Sequence, residues 1–392
     1  MAKSYRRKVR TAGRTEQSAT HDLNLEAAGL LFDMAALQPT PRSQFGYKRA
    51  AKAILFLSVP VADIVRAGSL REVPYVGPAS ARIITELLDC GNSPTVDTAI
   101  AKAGGKGAAV LGNRAHRAHY LSHFLMAEAL AHQMDPAVVS KEFYRGDFQM
   151  HSTWSDGGEP LGVMVEAALN LGHSCLGITD HSYGLPIARG MSMEAAAKQW
   201  AEIDELNARH RGRFRVFKGI EANILVDGSL DLQPEEAERF EFVVASPHSV
   251  LRKTEDQTPR MVAAVATPGV AILGHPRGRM FNGRPGVAAD WDAVFEVAAQ
   301  LDVAIELDGN WHRQDIDYVL AGRALDAGCI FALDSDAHSI GELRYSDYAI
   351  AHARLAGIPT DRVINCWSDA RLEEWMKARH RHQQRPRRRK PS

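Results

Sequence analysis

Histidines and carboxylates recur at one kind of place in this chain, the ends of short β-rich runs. Asp147-Phe148-Gln149-Met150-His151 closes the first run, Ile178-Thr179-Asp180-His181 the second and Lys218-Gly219-Ile220-Glu221 the third. Ser246-Pro247-His248 follows the fourth, Leu273-Gly274-His275 the fifth, and Asp334-Ser335-Asp336-Ala337-His338 the seventh. Imidazole and carboxylate together, without thiolate, are a ligand set for Zn, Mn or Fe. Asp156 follows His151 by five residues in a Ser155-Asp156-Gly157 turn. It reads either as the N-cap of the next helix or as a further ligand above the site.

These side chains meet only if the runs are strands of one parallel sheet or barrel. Residues 141–378 have that pattern. Seven β-rich runs (147–151, 174–179, 214–221, 241–246, 270–274, 303–307 and 329–333) alternate with helical stretches near 158–171, 192–211, 259–267, 289–300, 314–327 and 343–356. Such alternation predicts an α/β sheet or barrel whose C-terminal strand ends converge on one face. His173 precedes a strand and is expected on the opposite face; His210 is expected in a helix and His312 beyond the sixth run. His116, His119 and His123 have helical spacing and read as a polar face or a metal stripe.

Composition narrows the class further. The 392 residues carry 47 basic and 47 acidic side chains. The tails at 1–14 and 379–392 hold 6 and 7 basic residues and no acidic ones, which leaves 15–378 at −13. Basic tails on an acidic body favour a polyanionic partner or are simply solvated. No apolar run approaches the ~18 residues of a membrane span, so no membrane association is expected. Cys90, Cys175, Cys329 and Cys366 form no CxxC pair, which argues against a disulfide framework and fits a cytoplasmic location. Residues 21–140 read as all helical, broken at Gly46, Pro60, Gly77 and Gly91.

The motif set resembles the polymerase and histidinol phosphatase (PHP) superfamily. The matching stretches are Asp147 to His151, Ser155-Asp156-Gly157, Thr179-Asp180-His181, Glu221, His248, Gly274-His275-Pro276 and Asp336-Ala337-His338. The likeness is nearest to the PHP module of bacterial family X DNA polymerases. It implies a distorted seven-stranded (β/α) barrel over 145–378, two or three divalent ions (Zn, Mn or Fe) and hydrolysis of a phosphoester substrate. By resemblance, nine ligand positions fall on Gln149, His151, Asp156, His181, Glu221, His248, His275, Asp336 and His338. They form three sub-sites: Gln149, His151, Glu221 and Asp336; Glu221, His248 and His275; Asp156, His181 and His338. Gln149 stands where the family has histidine, and its amide oxygen is the weaker ligand. Asp180 is expected to orient His181 or another ligand, while Arg189, Arg277 and Arg279 are expected to bind the phosphate.

A second resemblance covers residues 22–103. Leu70-Arg71-Glu72-Val73-Pro74-Tyr75-Val76-Gly77-Pro78-Ala79-Ser80-Ala81 is similar to a helix-hairpin-helix, which offers backbone N–H groups to DNA phosphate. Tyr75 replaces the first glycine of that pattern, where it crowds the phosphate or stacks on a sugar, and Gly77 keeps the second. Phe45-Gly46-Tyr47-Lys48-Arg49-Ala50-Ala51 is similar to the small N-terminal DNA-binding domain of family X polymerases.

The expected organisation is therefore a basic tail (1–20), a helix-hairpin-helix domain (21–103), a helical linker (104–144), the barrel (145–378) and a second basic tail (379–392). No G-S…D-x-D signature is present and about 45 residues separate the two modules, so polymerase activity is not expected. The reading that follows is a metal-dependent phosphoesterase using a metal-activated water, acting on nucleic-acid ends or nucleotides. The alternatives are a small-molecule phosphomonoesterase of the histidinol phosphatase kind and a non-catalytic DNA-binding adaptor.

Overall fold

The computed structural model describes residues 16–55, 57, 59–121, 129, 135–280, 284–310 and 312–381. The basic tail 1–14, most of 379–392, and the side chains of His116, His119 and His123 lie outside the described residues. The chain divides into two compact units, residues 1–123 and 124–392.

The first unit is helical: α1 (Glu16–Leu37), α2 (Pro41–Leu55), α3 (Val61–Arg66), α4 (Pro78–Cys90), α5 (Pro94–Lys102) and α6 (Gly105–Leu121). Proline at the first helical position and glycine beyond the last set several of these boundaries. Pro78 opens α4 behind Gly77, and Gly91 closes it at φ +74°. Asn24 fixes the start of α3, accepting from Val61 N at 2.6 Å and donating to Val59 O at 3.0 Å. Gly46, expected as a break, lies inside α2. Its cost of ~1 kcal/mol against alanine is outweighed by burial of Ala50, Ala51, Ile54 and Leu55 on one face. Residues 105–121, within the expected helical linker, form α6. Arg114 on that helix reaches Asp33 at 2.8 Å and Asp97 at 3.0 Å.

In the second unit six strands, β1 (Cys175–Ile178), β2 (Arg215–Asn223), β3 (Phe242–Ser246), β4 (Val270–Leu273), β5 (Ala304–Asp308) and β6 (Ile330–Asp334), pair in sequential order. All pairs are parallel. Helix α7 (Leu161–Asn170) precedes β1, the helices α8 (Met193–Arg209), α9 (Pro234–Ala237), α10 (Thr258–Val265), α11 (Trp291–Gln300) and α12 (Tyr318–Asp326) lie between successive strands, and α13 (Ser346–Leu355) and α14 (Asp369–Arg381) follow β6. The two-residue period of the strands sorts their side chains. Val243, Ala245, Ile305, Leu307, Phe331 and Leu333 join the larger apolar cluster, while Phe242, Val244, Ala304 and Ala332 join a separate inner one. Along the inner positions the residue type changes from apolar to acidic towards the C-terminal end: Phe217 to Glu221, Ala304 to Asp308, Ala332 to Asp334.

Fully buried Phe148, Phe217 and Phe242 fill the inner floor, with Phe148 ring centroids 5.7 and 5.9 Å from the other two. Gly177 and Gly219 make the room. A Cβ at Gly177 would lie 2.5 Å from the Phe242 ring, and one at Gly219 2.4 Å from it.

The first expected run, 147–151, is not a strand, so six of the seven expected strands are present among the described residues. Its position is nevertheless that of a closing strand. Gly177 N donates to Asp147 O, Thr179 N to Met150 O and His151 N to Ala337 O. The ladder fails because side chains capture the intervening amides. Phe148 N donates to Asp334 Oδ1 at 2.8 Å, Gln149 N to Asp147 Oδ1 at 3.0 Å, and Met150 N to Thr179 Oγ1 at 3.0 Å.

Candidate metal centre

The C-terminal ends of the strands deliver their polar residues to one cup, as the parallel arrangement requires. His181 follows β1, Glu221 lies in β2, His248 follows β3 and His275 follows β4. Asp336 and His338 follow β6, and the closing segment supplies Gln149 and His151.

Glu221 is central and fully buried. Its Oε2 lies 3.0 Å from His181 Nδ1 and 3.4 Å from His151 Nε2; its Oε1 lies 3.4 Å from His248 Nε2 and 3.5 Å from His275 Nε2. Asp156 Oδ1 gathers His338 Nε2 at 3.4 Å and His181 Nε2 at 3.6 Å. Asp336 Oδ1 lies 3.2 Å from His151 Nε2. The His151 ring stacks between those of His181 and His338, at 4.4 and 4.2 Å.

Four groups offer ligand atoms within 4.8 Å of one another: His151, Asp156, His181 and His338; His181, Glu221 and His248; His151, Glu221 and Asp336; His275, Asp308 and Asp336. The partition differs from the expected sub-sites in three ways. His151 joins the Asp156 group, His181 also joins Glu221 and His248, and His275 is grouped with Asp308 and Asp336 although it also approaches Glu221. Gln149 is fully buried beside this set, and neither its amide oxygen nor its nitrogen has a hydrogen-bond partner.

The donor set fits divalent cations. Two atoms each ~2.1 Å from one tetrahedral ion stand ~3.4 Å apart, close to the nitrogen–oxygen distances around Glu221 and Asp156. Both Glu221 oxygens and both His275 ring nitrogens are buried without a hydrogen bond, although buried polar atoms are normally paired.

The electrostatics have the same character. Burial alone would raise the Glu221 pKa, but His181, His248 and His275 hold the carboxyl well below its ordinary value. Burial likewise opposes ionisation of Asp156, and His338, His151 and His181 bring its pKa down to about 2. Burial lowers His181 to about 3 against the pull of Glu221. For His338 burial acts downward too, yet Asp156 and Asp336 raise it to about 10.

Sequence reasoning found the sixth run, 303–307, as a strand but not the acidic residues it carries. Ala-Ile-Glu-Leu-Asp in β5 places Glu306 and Asp308 on the inner face, both fully buried, and the strict alternation of that stretch was the available signal. Arg313 was missed as well; its Nη2 lies 3.0 Å from Asp336 Oδ2 and its Nε 3.9 Å from Asp308 Oδ2. Burial would lower its pKa, but Asp336 and Asp308 raise it, so the guanidinium is a fixed positive charge beside the cup.

The remaining site candidates separate. Asp180 is fully buried and holds the turn between His151 and Asp156. Its Oδ1 accepts from Ser152 N, Ser155 N and Ser155 Oγ, and its Oδ2 from Ser152 Oγ and Gln199 Nε2, at 2.5–3.1 Å. Arg279 is buried and tethers the chain after β5, donating to Arg313 O, Gln314 O and Asp317, which differs from the open phosphate contact expected of it. Arg189 is exposed, and Arg277 is half-buried with Nε unpartnered. His173 packs against Tyr144 and His210 approaches Glu166, so neither belongs to the cup; His312 is in none of the four groups. Tyr75 and Gly77 lie in the first unit.

No family profile matches the chain. Over 234 residues it is 35% identical to the DNA polymerase/3'-5' exonuclease PolX of Bacillus subtilis (strain 168), covering 59% of this chain and 41% of that relative's length. Over 248 residues it is 27% identical to the probable phosphatase YcdX of Escherichia coli O81 (strain ED1a), covering 60% of this chain and 95% of that protein. A solved histidinol phosphate phosphatase from Lactococcus lactis subsp. lactis, complexed with zinc, L-histidinol and phosphate, aligns with a TM-score of 0.39 and 17% identity, over 54% of this chain and 94% of that one. The chain thus spans about two fifths of the length of the first of these relatives and nearly all of the second, and the stretches they share with it carry the motifs that resemble the polymerase and histidinol phosphatase superfamily.

Proposed function

We propose that this chain is a metal-dependent phosphoesterase that hydrolyses phosphoester bonds on nucleic-acid ends or nucleotides. The observation that carries the reading is the convergence of five histidines and four carboxylates on one largely buried cup. The two sequence relatives, named a DNA polymerase/3'-5' exonuclease and a probable phosphatase, support it. Their difference keeps a second reading open, a small-molecule phosphomonoesterase of the histidinol phosphatase kind.

His151, Asp156, His181, Glu221, His248, His275, Asp336 and His338 would hold two or three ions (Zn, Mn or Fe), with Gln149 as a weak ninth position. Bound there, such ions would supply Lewis acidity toward a phosphoryl oxygen and toward water near neutral pH. Glu221, with Oε2 facing His181 and His151 and Oε1 facing His248 and His275, would offer an oxygen to each side of the cup. Asp180 is a positioning residue, since it fixes the turn that carries Asp156. Arg277 and Arg189 follow strand ends and supply the charge to hold a phosphate. In the first unit, 21–103 is proposed as a helix-hairpin-helix module meeting DNA near Tyr75 and Gly77. Among the described residues no helix is long and apolar enough to cross a membrane, and a cytoplasmic location is part of this proposal.

Elemental analysis of the purified protein comes first, followed by hydrolysis of p-nitrophenyl phosphate, bis-p-nitrophenyl phosphate and single-stranded DNA. Bound metal and turnover that chelator abolishes are expected. Absence of both with Zn and with Mn overturns the reading. Gln149→His restores an imidazole and should slow metal loss to a chelator about tenfold or more; unchanged loss would place residue 149 outside the ligand set.

A further inference from the structure

The first unit carries an exposed aromatic and cationic face that the phosphoesterase reading leaves unexplained. Arg42, Phe45, Arg49 and Lys52 recur at intervals of three and four along α2, so they share one stripe of the helix. All four are exposed, on the side away from Ala50, Ala51, Ile54 and Leu55, and the helix contains no acidic residue. Phe45 is 60% exposed and Tyr75 61%. The Arg49 guanidinium sits over both rings, 5.6 Å from the Phe45 centroid and 4.9 Å from that of Tyr75. Tyr75 adopts φ +66°, a left-handed conformation that side chains other than glycine, asparagine and aspartate rarely accept.

A large ring held in that conformation and left in solvent stabilises no core. It also occupies the place from which the glycine of a helix-hairpin-helix lets the backbone approach a duplex phosphate. We propose that Phe45, Arg49 and Tyr75 form a stacking platform for the unpaired bases of single-stranded DNA, with Arg42 beside them for the backbone. Every base has a π-face that stacks on an aromatic or guanidinium plane, and a duplex hides those faces. The positive charge of the stripe selects a polyanion. This assignment deepens the nucleic-acid reading above and rests on it for the choice of DNA.

The test uses the full chain in EDTA, so that no strand is cut, and fluorescence anisotropy with labelled dT12, a 12-base-pair duplex and rU12. The dT12 strand should bind about tenfold more tightly than the duplex. Tyr75→Gly relaxes the left-handed backbone, so folding is preserved, and should weaken dT12 binding about 5- to 10-fold with no change in the salt slope. Arg42→Gln should instead reduce that slope by ~0.7. Duplex binding as tight as dT12, a preference for rU12, or a Tyr75→Gly affinity within twofold of the original each overturns the platform. Hydrolysis of bis-p-nitrophenyl phosphate, measured separately with metal restored, is too small a reaction to need the platform. Its loss with dT12 binding intact refutes the phosphoesterase reading alone.

Discussion

Asp180 offers the sharpest test of how the cup is held together. Replacing it by alanine removes the acceptor of five hydrogen bonds, two from backbone amides, two from hydroxyls and one from Gln199. The serine hydroxyls can rotate to other partners, but Ser152 N, Ser155 N and the Gln199 amide are left buried. At ~1–3 kcal/mol for each stranded donor, and with partial relaxation, the loss is ~3–5 kcal/mol. Asp180→Asn behaves differently. Its carbonyl oxygen can keep the Oδ1 partners, and the new amide group meets Gln199. Gln199 Oε1 is buried without a partner, so rotation of that side-chain amide turns the clash into a hydrogen bond. The asparagine variant should therefore lose only ~1–2 kcal/mol, the charge-assisted part. Because Ser152 follows His151 and Ser155 precedes Asp156, the alanine variant should also release metal about 10- to 100-fold more readily. Urea unfolding followed by tryptophan fluorescence reads the first effect, with Trp154 in the turn itself, and competition with a chelating dye reads the second. Equal unfolding midpoints for the two variants, or full metal retention by the alanine variant, would refute the reasoning.

Two further outcomes test other parts of the unit. Gly177→Ala would set a Cβ 2.5 Å from Phe242 and 2.9 Å from Phe148, so the floor should be overpacked by ~1–3 kcal/mol in urea unfolding; an unchanged midpoint would mean that the rings move aside freely. Burial, then Lys141, lowers His173 to about 4 from 6.5. Its folded state resists protonation while the unfolded chain takes up a proton, so stability should be lost as pH falls from 6.5 towards 4, by at most ~3 kcal/mol. His173→Gln should flatten that pH slope, and a slope equal to the original would sink the assignment.

Much of the cup was legible because two regularities coincide. Parallel strands are short apolar runs, and their C-terminal ends are where polar residues interrupt them, so His181, Glu221, His248 and His275 announce both the strand and the site. Where one regularity is absent, the site is not legible. Glu306 and Asp308 lie inside β5, and without a histidine the run read as plain strand. The segment 147–151 has the composition of a strand, but Asp147, Thr179 and Asp334 take its amides, a competition in which two of the three acceptors lie far away in sequence. Gly46 shows the converse, since a local helix breaker yields when the face it interrupts is buried.

The aromatic floor makes the cup a cul-de-sac. Phe148, Phe217 and Phe242 close the sheet's interior beneath the ligand residues. Under the proposed function, ion, water and ester would then share the mouth above them, a polymer would offer only what ends or bends at the rim, and each product would leave by the way it came.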